Sequence, residues 1–291
     1  MGTIISVVNN KGGVGKTTIT TNLAHAISNL KKNVLVVDID SQCNSSSFFF
    51  HGDPDRVPTP NLYEFLEDEK VDVRECIYNA ADYSRIAILP THESQAALEP
   101  ELIQRADTGI GILRNRMRDY AKANYDITLI DCPPNLGTFV MMAMVASDFV
   151  IVPLESGSKY SIDGIAKTVK LIDEIRQEQQ NPDLALLRFL LNKAKPRTIV
   201  TRSMHEMLTE KYPGRVFKTI LPDSTDMKQG EFLSETVLRQ KPNSYLTRQF
   251  RELAKEVLSL EELRSQVSPV DASDEDQVEV DAVLEDHDDE N

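Results

Sequence analysis

The run NNKGGVGKTT at residues 9–18 holds two lysines five positions apart in a glycine-rich stretch, with two threonines directly behind the second. Glycines at 12, 13 and 15 let a backbone turn sharply and aim its N–H groups at phosphate oxygens. A helix starting at Lys16 adds the positive end of its dipole. The backbone of Gly12, Gly13, Val14 and Gly15 is therefore suited to cradle a nucleotide's phosphates. Lys16 is set to reach the β- and γ-phosphates, the Thr17 hydroxyl to ligate Mg²⁺, and Thr18 to contact the α-phosphate. The usual spacing is GxxxxGK[ST], and here Asn10 stands where its first glycine would be. That template has no task for Lys11.

Further along, VVDIDSQ presents Asp38 and Asp40 at the end of an apolar run, on one face of a strand because strand side chains repeat every two residues. TLIDCPP ends a second such run on Asp131, where a nucleotide hydrolase keeps its Mg²⁺-linked carboxylate. A lone aspartate at a strand end is ordinarily a turn or a helix cap. Several converging on the carboxyl edge of a parallel sheet, where such sheets hold their ligands, point to metal and water chemistry.

The elements that must position these groups are legible as alternating apolar runs and longer amphipathic stretches. Strands are predicted at 3–9, 33–39, 85–90, 126–131, 148–154, 187–192 and 216–222, and helices at 16–31, 61–68, 94–123, 137–146, 161–180, 200–212 and 244–263. The rhythm predicts an α/β fold: one P-loop domain over residues 1–264, its mostly parallel sheet covered by helices. Residues 265–291 form an acidic tail with no aromatic residue, predicted to be disordered because burial cannot offset its ordering entropy.

Composition excludes several classes. The 291 residues contain no apolar run near the roughly 18 that span a membrane, and Met1 leads straight into IISVV without the zones of a signal peptide, so a cytoplasmic protein is expected. Cys43, Cys76 and Cys132 are too widely spaced for a disulfide framework or a zinc-type pair and are expected to be buried thiols. The net charge is −14, but residues 268–291 alone hold 11 acidic groups and no Lys or Arg, leaving −3 on the rest. Residues 188–258 carry 14 basic against 8 acidic side chains, a local +6 in an acidic chain.

Taken together, KGGVGKTT at 11–18, DIDSQ at 38–42 and LIDCPPNLG at 129–137 resemble the ParA/MinD family of deviant Walker A ATPases. Looser matches are IVPLESGSKYSIDGI at 151–165 and PDS at 222–224, all in the family's order over about residues 3–260. The chain is most similar to the ParA-type partition ATPases. The resemblance implies ATP and Mg²⁺ as cofactors and slow hydrolysis. It also implies an ATP-dependent homodimer in which Lys11 crosses to the phosphates of the partner's nucleotide. Asp40 takes the place of the aspartate that orients the attacking water, Asp131 that of the group holding a Mg²⁺-bound water, and Cys132-Pro133-Pro134 that of switch II. Asn192, Pro222 and Asp223 match the positions that flank adenine.

ParA-type relatives bind DNA without sequence preference through basic residues of the C-terminal part, which here nominates Lys193, Lys195, Arg197, Arg202, Arg248 and Arg251 and a nucleoid-associated location. The resemblance further implies a ParB-like adaptor that stimulates hydrolysis. A MinD-like membrane-cycling role is the alternative, but it needs a basic amphipathic C-terminal helix, and the acidic tail after residues 247–264 would be repelled by anionic lipid. No membrane partner is expected. An iron–sulfur reductase needs a companion for Cys132, and a bacterial tyrosine kinase of this family needs a tyrosine cluster that the tail lacks.

Overall fold

The computed structural model describes residues 1–262 apart from 81, 106, 158–159 and 196–197; the predicted tail and Arg197 lie outside the described residues. Seven strands form one sheet: β1 (Thr3–Val7), β2 (Val34–Asp38), β3 (Tyr78–Asn79), β4 (Ile86–Leu89), β5 (Ile127–Asp131), β6 (Phe149–Glu155) and β7 (Ala185–Asn192). Their order is β3-β4-β2-β5-β1-β6-β7, and every pairing is parallel except that of β3 with β4. The helices are α1 (Lys16–Ser28), α2 (Asn44–Phe49), α3 (Leu62–Glu67), α4 (Glu99–Gln104), α5 (Asp107–Ile110), α6 (Ile112–Arg116) and α7 (Arg118–Asn124), then α8 (Thr138–Ala146), α9 (Tyr160–Gln177), α10 (Ile199–Lys211), α11 (Thr225–Leu233), α12 (Val237–Gln240) and α13 (Tyr245–Glu262).

The central strands are apolar on both faces because both faces are covered. Val34 and Val36 of β2 join Ile5, Ile127 and Leu129 against Ile19, Leu23 and Ile27 of α1 and Phe250, Leu253 and Val257 of α13. Leu35 and Val37, one residue out of phase, face Val140 and Met144 of α8 and Ile165 and Ile172 of α9. Each fully buried aliphatic side chain here contributes about 1.5–3 kcal/mol relative to exposure. Since β1, β2 and β5 are adjacent and parallel, their carboxyl ends emerge side by side, and register pairs Val7 and Asp38 with Asp131. This alignment places the loop after β1 beside both aspartate-bearing ends.

Two expected elements differ. The stretch predicted as one helix over 94–123 is a 3-10 turn (Glu93–Leu98) followed by four short helices, α4 to α7. A side chain at Gly109 would bring its Cβ within 2.2 Å of the Leu102 carbonyl oxygen, so the chain folds back on itself where a straight helix could not. The strand predicted at 216–222 is an extended segment beside β7 without a continuous ladder: it is joined by two isolated parallel bridges, Phe189 to Val216 and Ala194 to Pro222, and by the Leu221 N–H donating to the Leu191 carbonyl at 2.9 Å. Between them the N–H groups of Lys218 and Thr219 donate to the Glu256 carboxylate of α13 at 2.9 and 3.2 Å, which removes them from the ladder.

Candidate nucleotide site

The loop from Asn9 to Gly15 joins β1 to α1 through two left-handed glycines, Gly13 at φ 74 and Gly15 at φ 89. At Gly15 no side chain fits, since an added Cβ would lie 2.6 Å from Asn192 Nδ2. The loop walls a cavity of about 610 Å³ lined by Gly12, Gly13, Gly15, Lys16, Thr17 and Thr18, with Asp40 and Pro134 from the neighbouring strand ends. Phe48 of α2, Lys193 and Glu231 also line it. The size suits a nucleotide.

The two lysines part company here. Lys16 is buried, its Nζ donating to the carbonyls of Asn9 at 3.3 Å and Lys11 at 3.4 Å. Burial lowers its pKa, while the nearby Asp131, Cys132 and Asp40 oppose that shift. Its amine is held under the loop, within reach of the charges of Asp131 and Asp40. Lys11 sits at the loop's mouth, where its Nζ donates to Glu155 Oε2 at 2.5 Å, each side chain about one-third exposed.

The carboxylates form a stack with different tasks. Asp38 is fully buried and accepts from the Ser46 N–H and hydroxyl, both at 2.7 Å, and from the Asp40 N–H at 3.2 Å. Burial, and then the charge of Asp131, raise its pKa. Asp38 anchors the start of α2, and with it the loop carrying Asp40. Asp40 accepts from the Gln42 N–H at 3.0 Å and lines the cavity; its pKa is also raised, mainly by burial. Asp131 accepts from the Ser45 hydroxyl at 2.6 Å and from the Thr17 side chain, while burial raises its pKa. Its Oδ1 is buried without a hydrogen-bond partner.

These residues fit Mg²⁺ with a nucleotide. A glycine cradle, a buried lysine, the Thr17 hydroxyl and an unpartnered carboxylate oxygen converge on one cavity. Among the described residues no three His, Cys, Asp or Glu side chains are grouped to hold an ion by themselves, as suits an ion that keeps phosphate oxygens and waters as ligands. Thr17 and Asp131 would hold it, with Asp40 nearby.

Among the residues expected to flank adenine, Asn192 is buried at the tip of β7, and its Nδ2 donates to the Val14 carbonyl at 2.8 Å. Its Oδ1 is buried and unpartnered. Asp223 N–H donates to the Ala194 carbonyl at 2.9 Å, so Pro222 and Asp223 are drawn to the same corner. Thr18, expected on the α-phosphate, donates instead to Glu231 of α11. Glu155 lies within the looser family match at 151–165, whereas Glu231 carries no sequence signal and meets the loop through the tertiary fold.

Of the basic residues nominated for DNA, Lys195 and Arg202 are exposed near the start of α10, and Arg248 and Arg251 are exposed on α13. Lys193 is placed differently: its Nζ donates to the Gly13 carbonyl at 2.6 Å and it lines the nucleotide cavity. Cys43, Cys76 and Cys132 are buried free thiols. No helix among the described residues is long and apolar enough to cross a membrane.

Comparison with known proteins agrees with this geometry. The AAA domain family model matches residues 2–186. The sporulation initiation inhibitor protein Soj of Bacillus subtilis is 30% identical over 273 residues, covering 88% of this chain and 98% of Soj. The chromosome-partitioning ATPase Soj of Thermus thermophilus is 31% identical over 255 residues, covering 88% and 95%. The septum site-determining protein MinD of Pyrococcus horikoshii, solved with Mg-ADP, superposes with a TM-score of 0.70 at 25% identity over 92% of this chain and 100% of that one. The chain thus belongs to the ParA/MinD family of P-loop ATPases.

Proposed function

We propose that this ATPase is a ParA-type partition or positioning protein that pairs on binding ATP, holds DNA without sequence preference in the paired state, and releases it on hydrolysis. The observation that carries the reading is the division between its two loop lysines. Lys16 is buried beneath the loop, whereas Lys11 lies at its mouth against Glu155. Lys11 is held at the loop's mouth by an anion, and a triphosphate facing the loop from a second copy offers it a stronger one.

In this reading Lys16 neutralises the β- and γ-phosphates and the loop N–H groups hold them. Asp40, carried by the loop that Asp38 anchors, orients the attacking water in line with the γ-phosphorus. Bound Mg²⁺ supplies further neutralisation of the phosphate charge. Lys11 from the second copy completes the charge balance, so turnover stays slow until two chains meet. A ParB-like adaptor, bound to a centromere-like site or to another cargo, stimulates hydrolysis at the interface. Exposed Lys195, Arg202, Arg248 and Arg251 supply phosphate contacts, which need charge but no base-reading motif. The membrane-cycling alternative has less support, since α13 spends its apolar face on α1 and the sheet.

The test is mass in solution with ADP and with a slowly hydrolysed ATP analogue, for wild type and Lys11→Ala, followed by retention on non-specific DNA. An ATP-dependent dimer that holds DNA in wild type and is lost in the variant is expected. A wild-type chain that stays monomeric and leaves DNA unbound with the analogue overturns the reading.

A further inference from the structure

The last helix, α13, turns outward a basic strip that the fold leaves without a counterpart. Its inner positions, Leu246, Phe250, Leu253, Ala254 and Val257, pack against α1 and the sheet. Arg248, Arg251 and Lys255, spaced three and four apart, therefore fall together on the exposed face. Lys255 is paired with Glu252 at 2.7 Å. Arg248 lies over the Tyr245 ring, 5.9 Å from its centroid, and among the described residues no carboxylate is within ion-pair distance of Arg248 or Arg251. Exposed Lys218 extends the strip, since its N–H donates to Glu256 of α13 at 2.9 Å. The Glu256 carboxylate is itself committed, to that N–H and to Arg188 at 2.7 Å.

The chain carries the missing anion. Residues 268–291 hold 11 acidic groups and no Lys or Arg, and they begin shortly after Glu262, the last residue of α13. The 29 residues beyond Glu262 can span about 100 Å when extended. The 18 residues of α13 are about 27 Å long, so doubling back along the strip is well within reach. A segment tethered to the helix meets it at an effective concentration of about millimolar, enough for many ion pairs, each weak alone, to hold at low salt. Lys195 and Arg202 are placed less favourably, because α10 packs Met204 and Leu208 on the opposite face of the sheet.

We propose that residues 268–291 dock on the basic strip of α13, centred on Arg248 and Arg251, and that DNA phosphates reach this strip only by displacing them. The docking stands on charge and reach; the competition deepens the DNA-holding reading and rests on it. Both polyanions draw on the same cations, so the chain holds DNA less tightly than its basic surface alone would.

The experiment is zero-length carbodiimide cross-linking of the full chain, read by peptide mass spectrometry on the monomer band at low and high salt. It is joined to anisotropy of a non-specific duplex with a slowly hydrolysed ATP analogue. Wild type is compared with Arg248→Gln/Arg251→Gln and with a full chain in which every Asp and Glu of 268–291 becomes Asn or Gln, each checked by thermal melt. Links from 268–291 should gather on Lys255 and Lys218, exceed those to exposed Lys70 severalfold, and fall severalfold at high salt and in the double variant. Links spread evenly over the three lysines, or unchanged in the double variant, overturn the docking. The amide-bearing chain should bind the duplex about tenfold tighter than wild type at about 50 mM salt, and within about twofold of it at about 300 mM. Duplex affinity equal to wild type at low salt overturns the competition. If neither chain binds the duplex, the DNA-holding reading and the competition fall together, and the links still decide the docking.

Discussion

The pairing of Lys11 with Glu155 makes a quantitative prediction about the proposed dimer. At 2.5 Å, with each side chain about one-third exposed, this is a partly solvated ion pair worth about 0.5–1 kcal/mol. Lys11 must leave Glu155 to reach a triphosphate on another chain, so that energy opposes association. It is spent twice in a symmetric dimer, giving about 1–2 kcal/mol in all, or roughly a 5–30-fold change in the dissociation constant. Glu155→Gln removes the charge and keeps the shape. It should tighten ATP-dependent association by that factor, measured by sedimentation with a slowly hydrolysed analogue. The gain should shrink at high salt, where exposed ion pairs are screened. In the Lys11→Ala background the same substitution should change little, because Glu155 acts through Lys11 and the two effects are not additive. Weakened or unaltered association of Glu155→Gln in the Lys11 background would refute the idea that this contact restrains the lysine.

Three further outcomes are expected. Gly15→Ala should abolish detectable nucleotide binding, since its Cβ meets Asn192 Nδ2 at 2.6 Å on a backbone at φ 89; Gly13→Ala, whose Cβ meets nothing within 4 Å, should suffer only the left-handed strain of about 1–2 kcal/mol, read by denaturant titration. Burial, and then Arg239 and Arg251, push the His25 imidazole down to about 4, so between pH 6.5 and 4 the unfolded chain binds a proton that the folded one refuses. Stability should therefore fall as pH falls through that window, by up to about 3 kcal/mol, and His25→Gln should flatten the dependence in urea melts. Removing Mg²⁺ with a chelator should weaken ATP binding by about tenfold or more, whereas Asp131→Asn should bind ADP yet show a much smaller response to Mg²⁺ in the same titration, marking Asp131 as part of the ion's site.

The phosphate half of the site was legible because it is contiguous. Strand, loop, helix and the two threonines follow one another within ten residues, and each has a backbone or charge requirement that few residue types meet. Asp38, Asp40 and Asp131 were legible by position, at the ends of apolar runs. The resemblance gave Asp40 and Asp131 separate roles, but where each carboxylate turns was not legible. Nothing local distinguishes Asp38, turned inward to Ser46, from Asp40, turned to the cavity; the difference lies in the return of α2 over the sheet edge. The 216–222 segment shows the same limit on the scale of an element. Its alternation satisfies a strand pattern, but the carboxylate of Glu256, some forty residues on, takes the N–H groups that a ladder needs.

The contacts made by distant residues are the more instructive case. Val14 meets Asn192 across 178 positions, Gly13 meets Lys193 across 180, and Thr18 meets Glu231 across 213. The basic stretch and the resemblance nominate Lys193 for DNA, and a count of charges records no direction; in the fold its Nζ meets the Gly13 carbonyl and it lines the cavity. Glu231 carries the same logic with opposite sign. Its carboxylate meets the hydroxyl expected to serve the α-phosphate, so an incoming phosphate must displace it or turn it elsewhere against like-charge repulsion. The loop motif is read from adjacent residues, whereas the contacts that β7 and α11 make with it, Asn192 to the Val14 carbonyl and Thr18 to Glu231, exist only in the tertiary fold.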